Sequence, residues 1–386
     1  MRGSSFARYL PGGYRVYLHQ NTLVATPFNL ANLAVTGAAR LMLDDVSSLS
    51  PTNPADLDFS QNGTFVYVSG KAEPARSVFW MDRTGHVQPL LAAPAFYSTP
   101  SFSPDGKRLA YTLGTVEGRQ DIWVRDLDRN GTVRLTSLPD SNTSPIWTPN
   151  GKSIVFRSNT QPNSRIYGVQ VDGSGEVQLL GDEPGSEALP TSISPDGQWL
   201  VMETGNPFAV IDVKIAPIGG TPDHPRLGKA ETLLRASGFP VPTFSPDGHW
   251  LAYSSPETGT PEVYVRPFPA PGGKWPVSTG GGQFPIWSRS GHELFFLGPD
   301  RRIRVADYTT VGDTFVPGKP RVWSQQQILF NRGGGPFPPY ALEPDGKRAA
   351  VILYPDGTAE EHRDVHLTFL LNFFDELRRR VPAEGR

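Results

Sequence analysis

The chain has 386 residues and a formal net charge of −2, so its charge predicts neither a nucleic acid nor an anionic membrane as partner. The absence of cysteine excludes disulfides, thiolate catalysis and cysteine-ligated zinc. No segment reaches the ~18 apolar residues of a membrane span, and the N-terminus lacks the apolar stretch of a secretory signal. We therefore expect no direct membrane insertion and, for the sequence as it stands, a cytoplasmic protein.

One short segment recurs along the chain. Its clearest copy is Phe244-Ser245-Pro246-Asp247-Gly248, followed by an alternating stretch through Ser254. Serine, proline and glycine occupy the positions that a type I turn favours, and the alternation indicates a half-buried strand. The turn glycines of the successive copies are Gly13, Gly63, Gly106, Gly151, Gly197, Gly248, Gly291 and Gly346. They stand 43 to 55 residues apart, a period typical of β-propeller blades.

The repeat divides the chain into eight predicted units. The first two span residues 6–44 and 56–91, and the third spans 98–136. Units four to seven begin near residues 143, 189, 240 and 283. The eighth begins at Pro338, and its third strand is predicted at Val365 to Leu371. Each unit repeats strand, turn, strand, loop and strand, as the four-stranded blade of a propeller does.

The predicted fold class is therefore all-β: a β-propeller of four-stranded antiparallel blades. Eight blades are preferred, and seven are the alternative if the first and last units share a blade. Residues 1–371 are expected to form a single domain. Residues 372–386 are expected to form a short helical tail, with Asn372 as a candidate cap and a helix through Arg380 whose acidic and basic residues match the helix dipole.

Four prolines precede the turn-flanking residue by two positions: Pro100, Pro145, Pro242 and Pro285. Proline cannot donate to a strand ladder, so these strands are predicted to be edges, as the innermost strands around a propeller channel are. Trp147 and Trp287, at the turn-flanking position, are then expected to pack between blades.

Polar residues that do not repeat are the candidates for a site near the channel mouth, on the side opposite the turns. They are Asp56, Asn142, Glu187, Glu203 and Asn206. Oxygen ligands converging there could hold Ca²⁺, whereas solvated loop side chains are the alternative interpretation. The turn aspartates and the acids before third strands, Asp121 and Glu262, recur and are predicted to be structural.

A metal site is the second hypothesis for these residues. Its predicted ligands are Glu187, Asn142 and Asp56, together with His362 and His366, which lie four residues apart. Ca²⁺ or Zn²⁺ in the central channel is the cofactor that this hypothesis allows, and no other cofactor is expected. An exposed loop is the alternative interpretation for the two histidines.

The repeated Ser-Pro-Asp-Gly turn, followed by Lys107-Arg108-Leu109-Ala110-Tyr111 and later by Asp121-Ile122-Trp123-Val124, resembles the PD40 (WD40-like) repeat of TolB-type β-propellers. The stretch from Pro261 to Gly282, with the ending Leu367 to Asn372, resembles the C-terminal propeller region of certain bacterial Ser/Thr protein kinases. The resemblance implies a sensor or protein-interaction propeller, outside the cytoplasm in such kinases. It supplies no catalytic residues, and this chain lacks kinase signatures.

The leading functional hypothesis is a non-enzymatic recognition propeller that binds a protein, a peptide or a small ligand at the channel mouth. No Gly-x-Ser-x-Gly nucleophile motif occurs, so a serine peptidase domain is not predicted. The alternative is a metal-dependent hydrolase of the lactonase or phosphoesterase type with a channel-bound metal. Carbohydrate binding by aromatic residues at the mouth is a third hypothesis. We expect a monomer.

Overall fold

The structure is a computed structural model. It describes residues 4–19, 22–44, 46, 57–69, 75–115, 118–160, 163–173, 176–182, 188–205, 210–221, 224–269, 272–329, 338–359 and 366–381. These residues form β-strands and one short helix, which confirms the all-β class and the C-terminal helix. No helix in these ranges has the length and apolar content needed to cross a bilayer.

The strands occur in the following order along the chain. The first seven are β1 (Ser4–Leu10), β2 (Tyr14–His19), β3 (Thr22–Asn29), β4 (Ala34–Val35), β5 (Arg40–Leu43), β6 (Leu57–Phe59) and β7 (Phe65–Ser69). The next nine are β8 (Arg76–Asp82), β9 (Val87–Phe102), β10 (Arg108–Gly114), β11 (Gln120–Asp126), β12 (Thr132–Arg134), β13 (Ser141–Trp147), β14 (Ser153–Thr160), β15 (Asn163–Gln170) and β16 (Gln178–Asp182).

The second half of the chain continues the series. The strands up to residue 276 are β17 (Leu189–Ile193), β18 (Trp199–Gly205), β19 (Ile211–Thr221), β20 (His224–Leu227), β21 (Glu231–Ala236), β22 (Thr243–Phe244), β23 (Trp250–Ser255), β24 (Glu262–Pro267) and β25 (Trp275–Pro276). The remaining elements are β26 (Gln283–Trp287), β27 (Glu293–Leu297), β28 (Arg302–Val311), β29 (Thr314–Pro317), β30 (Arg321–Gln327), β31 (Tyr340–Leu342), β32 (Arg348–Leu353), β33 (His366–Leu370) and α1 (Phe373–Arg380).

The chain divides into two compact units. The smaller unit comprises residues 1–74, 116–118 and 361–386, and the larger comprises residues 75–115 and 119–360. The prediction of a single domain over residues 1–371 stays a prediction, but the helix expected as a tail belongs to the core of the smaller unit.

The larger unit is built from antiparallel sheets in sequence order. Two sheets have four strands, in the orders β13-β14-β15-β16 and β22-β23-β24-β25. Two have five, with β17-β18-β19 and β26-β27-β28 each completed by two further strands. The seven-stranded sheet has the order β12-β11-β10-β9-β8-β32-β31. In each sheet the strand before a Ser-Pro-Asp-Gly-type turn pairs with the strand after it, as the repeat predicted.

The long strand β9 belongs to two groups of strands at once. Its first part pairs with β8 through Val87 to Leu91, and its second part pairs with β10 through Phe96 to Phe102. When β9 is divided between these parts, the seven-stranded sheet becomes two groups of four strands, β31-β32-β8-β9 and β9-β10-β11-β12. The described residues of the larger unit thus contain six such groups.

The recurring turn has the conformation that its sequence predicts. In the copy from Ser103 to Gly106, the glycine N–H donates to the serine carbonyl at 2.9 Å, and the glycine has φ +71°. Asp105 accepts from the Ser103 hydroxyl and from the Lys107 N–H at 3.1 Å. The serine hydroxyl holds the pKa of Asp105 below its usual value. The turn aspartate is therefore structural, as predicted.

Hydrophobic clusters join each group of strands to the next. Val124 of β11 packs with Trp147 of β13, and Trp250 of β23 packs with Phe296 of β27. Similar clusters connect the remaining neighbours, and the cluster that contains Phe295 also contains residues of β8 and β32. The contacts thus continue from the last group of strands back to the first, which is the packing of a propeller-like fold.

The described residues of the smaller unit form two sheets and the helix. The sheets have the orders β1-β2-β3-β4, with β5 also on β3, and β33-β7-β6. Phe65 stacks on Phe59 with ring centroids 4.5 Å apart, and Phe373 of α1 lies 4.9 Å from Phe65. Leu377 is also fully buried in this core. Residues from both ends of the chain therefore share one hydrophobic core.

Two assignments at the ends of the chain differ from prediction. The strand predicted to complete the last unit, β33, pairs with β7, and β32 pairs with β8 instead. Asn372 precedes α1 with a left-handed backbone, φ 59°, and its side chain makes no capping hydrogen bond. Strand pairing between chain ends depends on which sheet edges are exposed, and the repeat pattern carries no information about that.

Candidate functional site

The first strands of the six groups line one cavity of about 470 Å³ in the larger unit. Each strand contributes residues just before its turn, and four of the turn prolines and Arg289 also belong to the lining, so the lining repeats the sequence motif around the cavity. Three of the four prolines predicted to border a channel, Pro100, Pro145 and Pro285, belong to the lining, whereas Pro242 does not. The described lining consists of proline, aliphatic and aromatic residues, serine and threonine, and a single arginine.

A bulge recurs in the first strands at the residue before the proline. Thr99, Ser144 and Phe284 each precede a proline and have φ values of 49°, 59° and 55°. The pairing register with the second strand shifts at the same point in three of the sheets. A bulge of this kind redirects the side chain that it carries. The Thr99 hydroxyl bonds to Thr112 at 2.6 Å, for example.

The tryptophans next to the turns fix neighbouring strands to each other. The indole N–H of Trp147 donates to the Ser101 carbonyl at 2.9 Å, and that of Trp287 donates to the Thr243 carbonyl at 3.1 Å. Both side chains are buried at the edge of the cavity. Their packing between groups of strands confirms the interpretation from the sequence. Each indole N–H donates to a backbone carbonyl in the first strand of the preceding group.

Two recurring acids have structural roles, as predicted. Asp121 accepts from the Thr136 hydroxyl at 3.0 Å and from Arg134 at 2.7 Å. Glu262 accepts from the N–H groups of Gly280 and Gly281 at 2.7 and 2.9 Å. In both cases the acid at the start of a third strand holds the segment that follows the fourth. Neither acid is among the residues that line the cavity.

Asn142 is completely buried in β13. Its amide N–H donates to Asp121 Oδ1 at 3.3 Å and to the Asp140 carbonyl at 2.9 Å. The amide oxygen has no hydrogen-bond partner among the described residues. Asn142 thus supports the Asp121 network, and its part in a ligand or metal site stays a prediction.

Glu203 is the other predicted site residue within the larger unit. It lies on β18, is 2% exposed and accepts a hydrogen bond from the backbone N–H of Val241 in the next sheet. Burial raises the pKa of Glu203 to about 8 against the opposing effect of that hydrogen bond. The carboxyl group is therefore mostly protonated at neutral pH. Val241 itself lines the cavity.

The remaining predicted site residues are distributed as follows. His366 begins β33 in the smaller unit, where its side chain is exposed. Asp56, Glu187, Asn206 and His362 lie outside the described residues. Within the ranges that the structure describes, no three His, Asp or Glu side chains converge as metal ligands would. Of the five residues predicted as metal ligands, only Asn142 is among the described residues of the larger unit. The metal hypothesis therefore stays a prediction.

A family profile described as the TolB beta propeller domain (PD40) matches residues 16–217, which is more than half of the chain. This chain belongs to the TolB-type PD40 propeller family. The match covers strands of both compact units and includes the turn copies from Gly63 to Gly197. It agrees with the resemblance deduced from the repeat.

Two curated relatives and one solved structure show the extent of the similarity. An uncharacterized protein of Agrobacterium fabrum is 29% identical over 217 residues, 51% of this chain and 68% of its own length. The Tol-Pal system protein TolB of Francisella tularensis subsp. mediasiatica is 28% identical over 213 residues, 53% of this chain and 46% of its own length.

The solved structure is that of a TolB candidate from Agrobacterium tumefaciens. It superposes with a TM-score of 0.50 at 18% identity and covers 72% of this chain and 98% of its own. This likeness supports the TolB-type fold. The aligned part of this PD40 propeller spans less than half the length of the Francisella protein, so the fold and family are what the two chains share.

Sequence reasoning overlooked one residue of the cavity, Arg289. It replaces the proline of the turn that ends at Gly291, and it is the arginine of the lining. The signal was present, because this turn reads Trp287-Ser288-Arg289-Ser290-Gly291 whereas most copies have proline at the second position.

Proposed function

We propose that this chain is a recognition propeller whose larger unit forms a closed ring of six blades, and that a ligand binds in the central cavity. Two features support six blades. Each of six groups of strands supplies its first strand to the same cavity lining, and the pairing of β32 with β8 joins the last group to the first. The strands β1 to β7, which the eight-blade prediction counted, lie in the smaller unit.

The cavity lining carries the functional part of the proposal. The cavity volume of about 470 Å³ lies within the range of ligand-binding cavities. The cavity walls are apolar with interspersed Ser and Thr hydroxyls, as the walls of small-molecule and peptide sites are. A serine or threonine hydroxyl acts as a nucleophile only when a neighbouring base, usually an imidazole or a carboxylate, activates it. The described lining has hydroxyls and one guanidinium but no carboxylate or imidazole to serve as that base. A peptide segment with apolar side chains is the ligand that these walls fit best.

A metal-dependent hydrolase is the alternative that the candidate acids raised. Elemental analysis of the purified protein, followed by esterase and phosphoesterase assays with and without EDTA, distinguishes the two functions. One equivalent of bound Ca²⁺ or Zn²⁺ together with chelator-sensitive turnover would favour the hydrolase. A role as the sensor part of a membrane kinase, and a monomeric state, are further proposals that rest on the sequence resemblance and on expectation.

The proposed function is tested with a phage-displayed library of random 12-residue peptides selected on the full chain. We expect enriched peptides to bind with micromolar Kd and to lose binding, by about 10-fold or more, in the variant Ser101→Trp. Ser101 lines the cavity on β9, so a tryptophan there fills part of its volume. Loss of a few buried contacts is sufficient for a tenfold change in Kd.

The matched control is Val133→Trp, which adds the same side chain at an exposed position of the outer strand β12. Thermal unfolding of both variants verifies that they are folded. Peptides that bind Ser101→Trp as well as the unaltered chain would place recognition elsewhere. A library that yields no enriched peptide would contradict the proposed function.

A further inference from the structure

Arg289 breaks the repeat of the turns around the cavity. The second position of the turn is proline in five of the six copies of the larger unit: Pro104, Pro149, Pro195, Pro246 and Pro344. In the copy that ends at Gly291 the residue is Arg289. Its backbone N–H donates to the Pro344 carbonyl at 3.2 Å, so the arginine lies beside the neighbouring turn.

Arg289 is the one charged residue among the described residues that line the cavity. Its guanidinium group makes no hydrogen bond and no ion pair with any described residue, although an arginine carries five N–H donors. The rest of the lining is apolar or carries neutral hydroxyls. A single cation therefore faces an otherwise uncharged cavity.

The acidic residues of the neighbouring strands and turns are already paired with other cations. Glu293 accepts from Arg83 at 3.3 Å and from Arg321 at 3.2 Å. Glu343 forms a two-point pair with Arg348 at 2.7 and 2.9 Å. These side chains pair with one another and leave the charge of Arg289 without a counterion among the described residues.

The surroundings of Arg289 favour the binding of an anion to its unpaired charge. The side chain is exposed to solvent, although Arg289 belongs to the cavity lining. Nevertheless, nearby protein atoms displace enough water to lower its pKa by desolvation. An anion that binds there gains a charge-assisted hydrogen bond in a partly desolvated site, where such bonds are stronger than in water.

We propose that Arg289 binds a carboxylate group of the ligand, so that the cavity selects peptides that carry a negative charge next to apolar residues. This inference rests on the proposed function and names the chemical class of its ligand. The planar guanidinium matches a carboxylate with two parallel hydrogen bonds. A phosphate dianion would bring two charges to a cavity with one cation, so we expect it to bind less well.

A carboxylate can come from the C-terminus of a chain or from an Asp or Glu side chain, and three short probes distinguish these sources. They are N-acetyl-valyl-leucine with a free carboxylate, the same compound as its amide, and N-acetyl-aspartyl-leucine amide. Binding to the full chain is measured by isothermal titration at pH 7 and low salt, with inorganic phosphate as competitor.

We expect the acid probes to bind at least about 10-fold more tightly than the amide of valyl-leucine, because charge-assisted hydrogen bonds are stronger than neutral ones. Whichever acid probe binds more tightly identifies the source of the carboxylate. The preference for acids should disappear in Arg289→Gln and in Arg289→Pro, which restores the residue of the other copies. Arg129→Gln removes an exposed arginine outside the cavity and should preserve it.

Three outcomes would overturn the inference. Equal binding of acid and amide probes by the unaltered chain would leave the cavity as a peptide site without carboxylate selection. A preference for acids that persists in Arg289→Gln would assign the selection to another residue, and strong competition by phosphate would assign the site to a different anion. If no probe binds at millimolar concentration, the inference fails, whereas the selection of 12-residue peptides decides separately whether the cavity is a peptide site.

Discussion

Glu203 is the residue whose environment departs furthest from what its sequence suggests. A glutamate at the end of a strand is expected to face water, but this one is buried against the backbone N–H of Val241. Its carboxyl group has a pKa of about 8, far above that of a glutamate in an unfolded chain. A neutral carboxyl can remain in this position, whereas an ionised one loses its hydration and finds no cation among the described residues to replace it.

The raised pKa predicts how stability depends on pH. The unfolded state releases the Glu203 proton above pH ~4.5, whereas the folded state keeps it up to pH ~8, so the stabilising contribution is complete at low pH and is lost between these values. In Glu203→Gln the side chain is neutral throughout. The difference in free energy of unfolding, wild type minus variant, should fall by about 1.4 kcal/mol per pH unit between pH 5 and pH 8.

Urea denaturation at several pH values measures this difference. Glu231→Gln, which alters an exposed glutamate of β21, is the control and should give a curve parallel to that of the wild type. A Glu203→Gln curve that is also parallel to the wild type would mean that Glu203 ionises normally in the folded protein.

The element that closes the larger unit is the pair of strands β32 and β8. Ala349 lies opposite Met81 in the antiparallel register, and both side chains are fully buried in the same cluster. Because the native chain has no cysteine, a pair of cysteines introduced at these positions can form only the intended disulfide within one chain. Facing residues of antiparallel strands lie within disulfide distance.

We expect the double variant Met81→Cys with Ala349→Cys to form this disulfide under oxidising conditions and to be stabilised relative to its reduced form. The bond closes a loop of about 270 residues, for which the chain-entropy argument gives about 6 kcal/mol as an upper value. Thiol titration and thermal unfolding of the oxidised and reduced protein provide the measurement.

Each single-cysteine variant controls for the loss of packing at its own position. A second control is the pair Ala110→Cys with Val124→Cys in the hairpin β10–β11, which closes a short loop and should stabilise the protein less. Thiols that remain free in the Met81–Ala349 variant would show that β32 does not pair with β8.

The helix α1 illustrates how local and long-range information combine in one element. Asp375 and Glu376 in its first turn and the three arginines in its last turn were predicted from the helix dipole, and they are observed there. The arginines pair with these acids, as Arg379 does with Glu376 at 2.6 Å. The burial of Phe373 and Leu377 against β6 and β7 could not be read from the helix itself, because the partner strands come from the other end of the chain.

At the scale of the whole molecule, the two compact units differ in which parts of the chain form them. All the strand ladders and hydrophobic clusters of the larger unit lie between residues 75 and 360. The smaller unit needs both ends of the chain, since β33 and α1 complete a core with β6 and β7. The larger unit therefore has the contacts that an independently folding fragment requires.

We expect a fragment of residues 75–360 to fold by itself and to unfold cooperatively, as followed by near-UV circular dichroism during heating. A shorter fragment, residues 75–337, lacks β31 and β32 and exposes the edge of β8. Its Tm should be lower by about 10 °C or more, because the loss of two strands removes several kcal/mol. Aggregation of the longer fragment, or equal Tm values for the two, would contradict a closed larger unit.

The sequence alone determined the features that depend on residues close together in the chain. Turn chemistry from Ser103 to Gly106, the alternation of the following strand and the spacing of the turn glycines are local properties, so they predicted the repeat, the all-β class and the TolB-type family. The inward position of Pro100 and Pro145 followed from one local fact, that proline donates no backbone hydrogen bond.

Only the tertiary structure decided which distant residues meet. β8 pairs with β32 and β33 pairs with β7 across nearly the whole chain, and a repeat pattern treats every such pairing as equivalent. The burial of Glu203 and the isolated charge of Arg289 are likewise set by neighbouring sheets. Strand periodicity specifies which face of a strand is apolar, whereas the identity of the group that covers it depends on contacts between segments far apart in sequence.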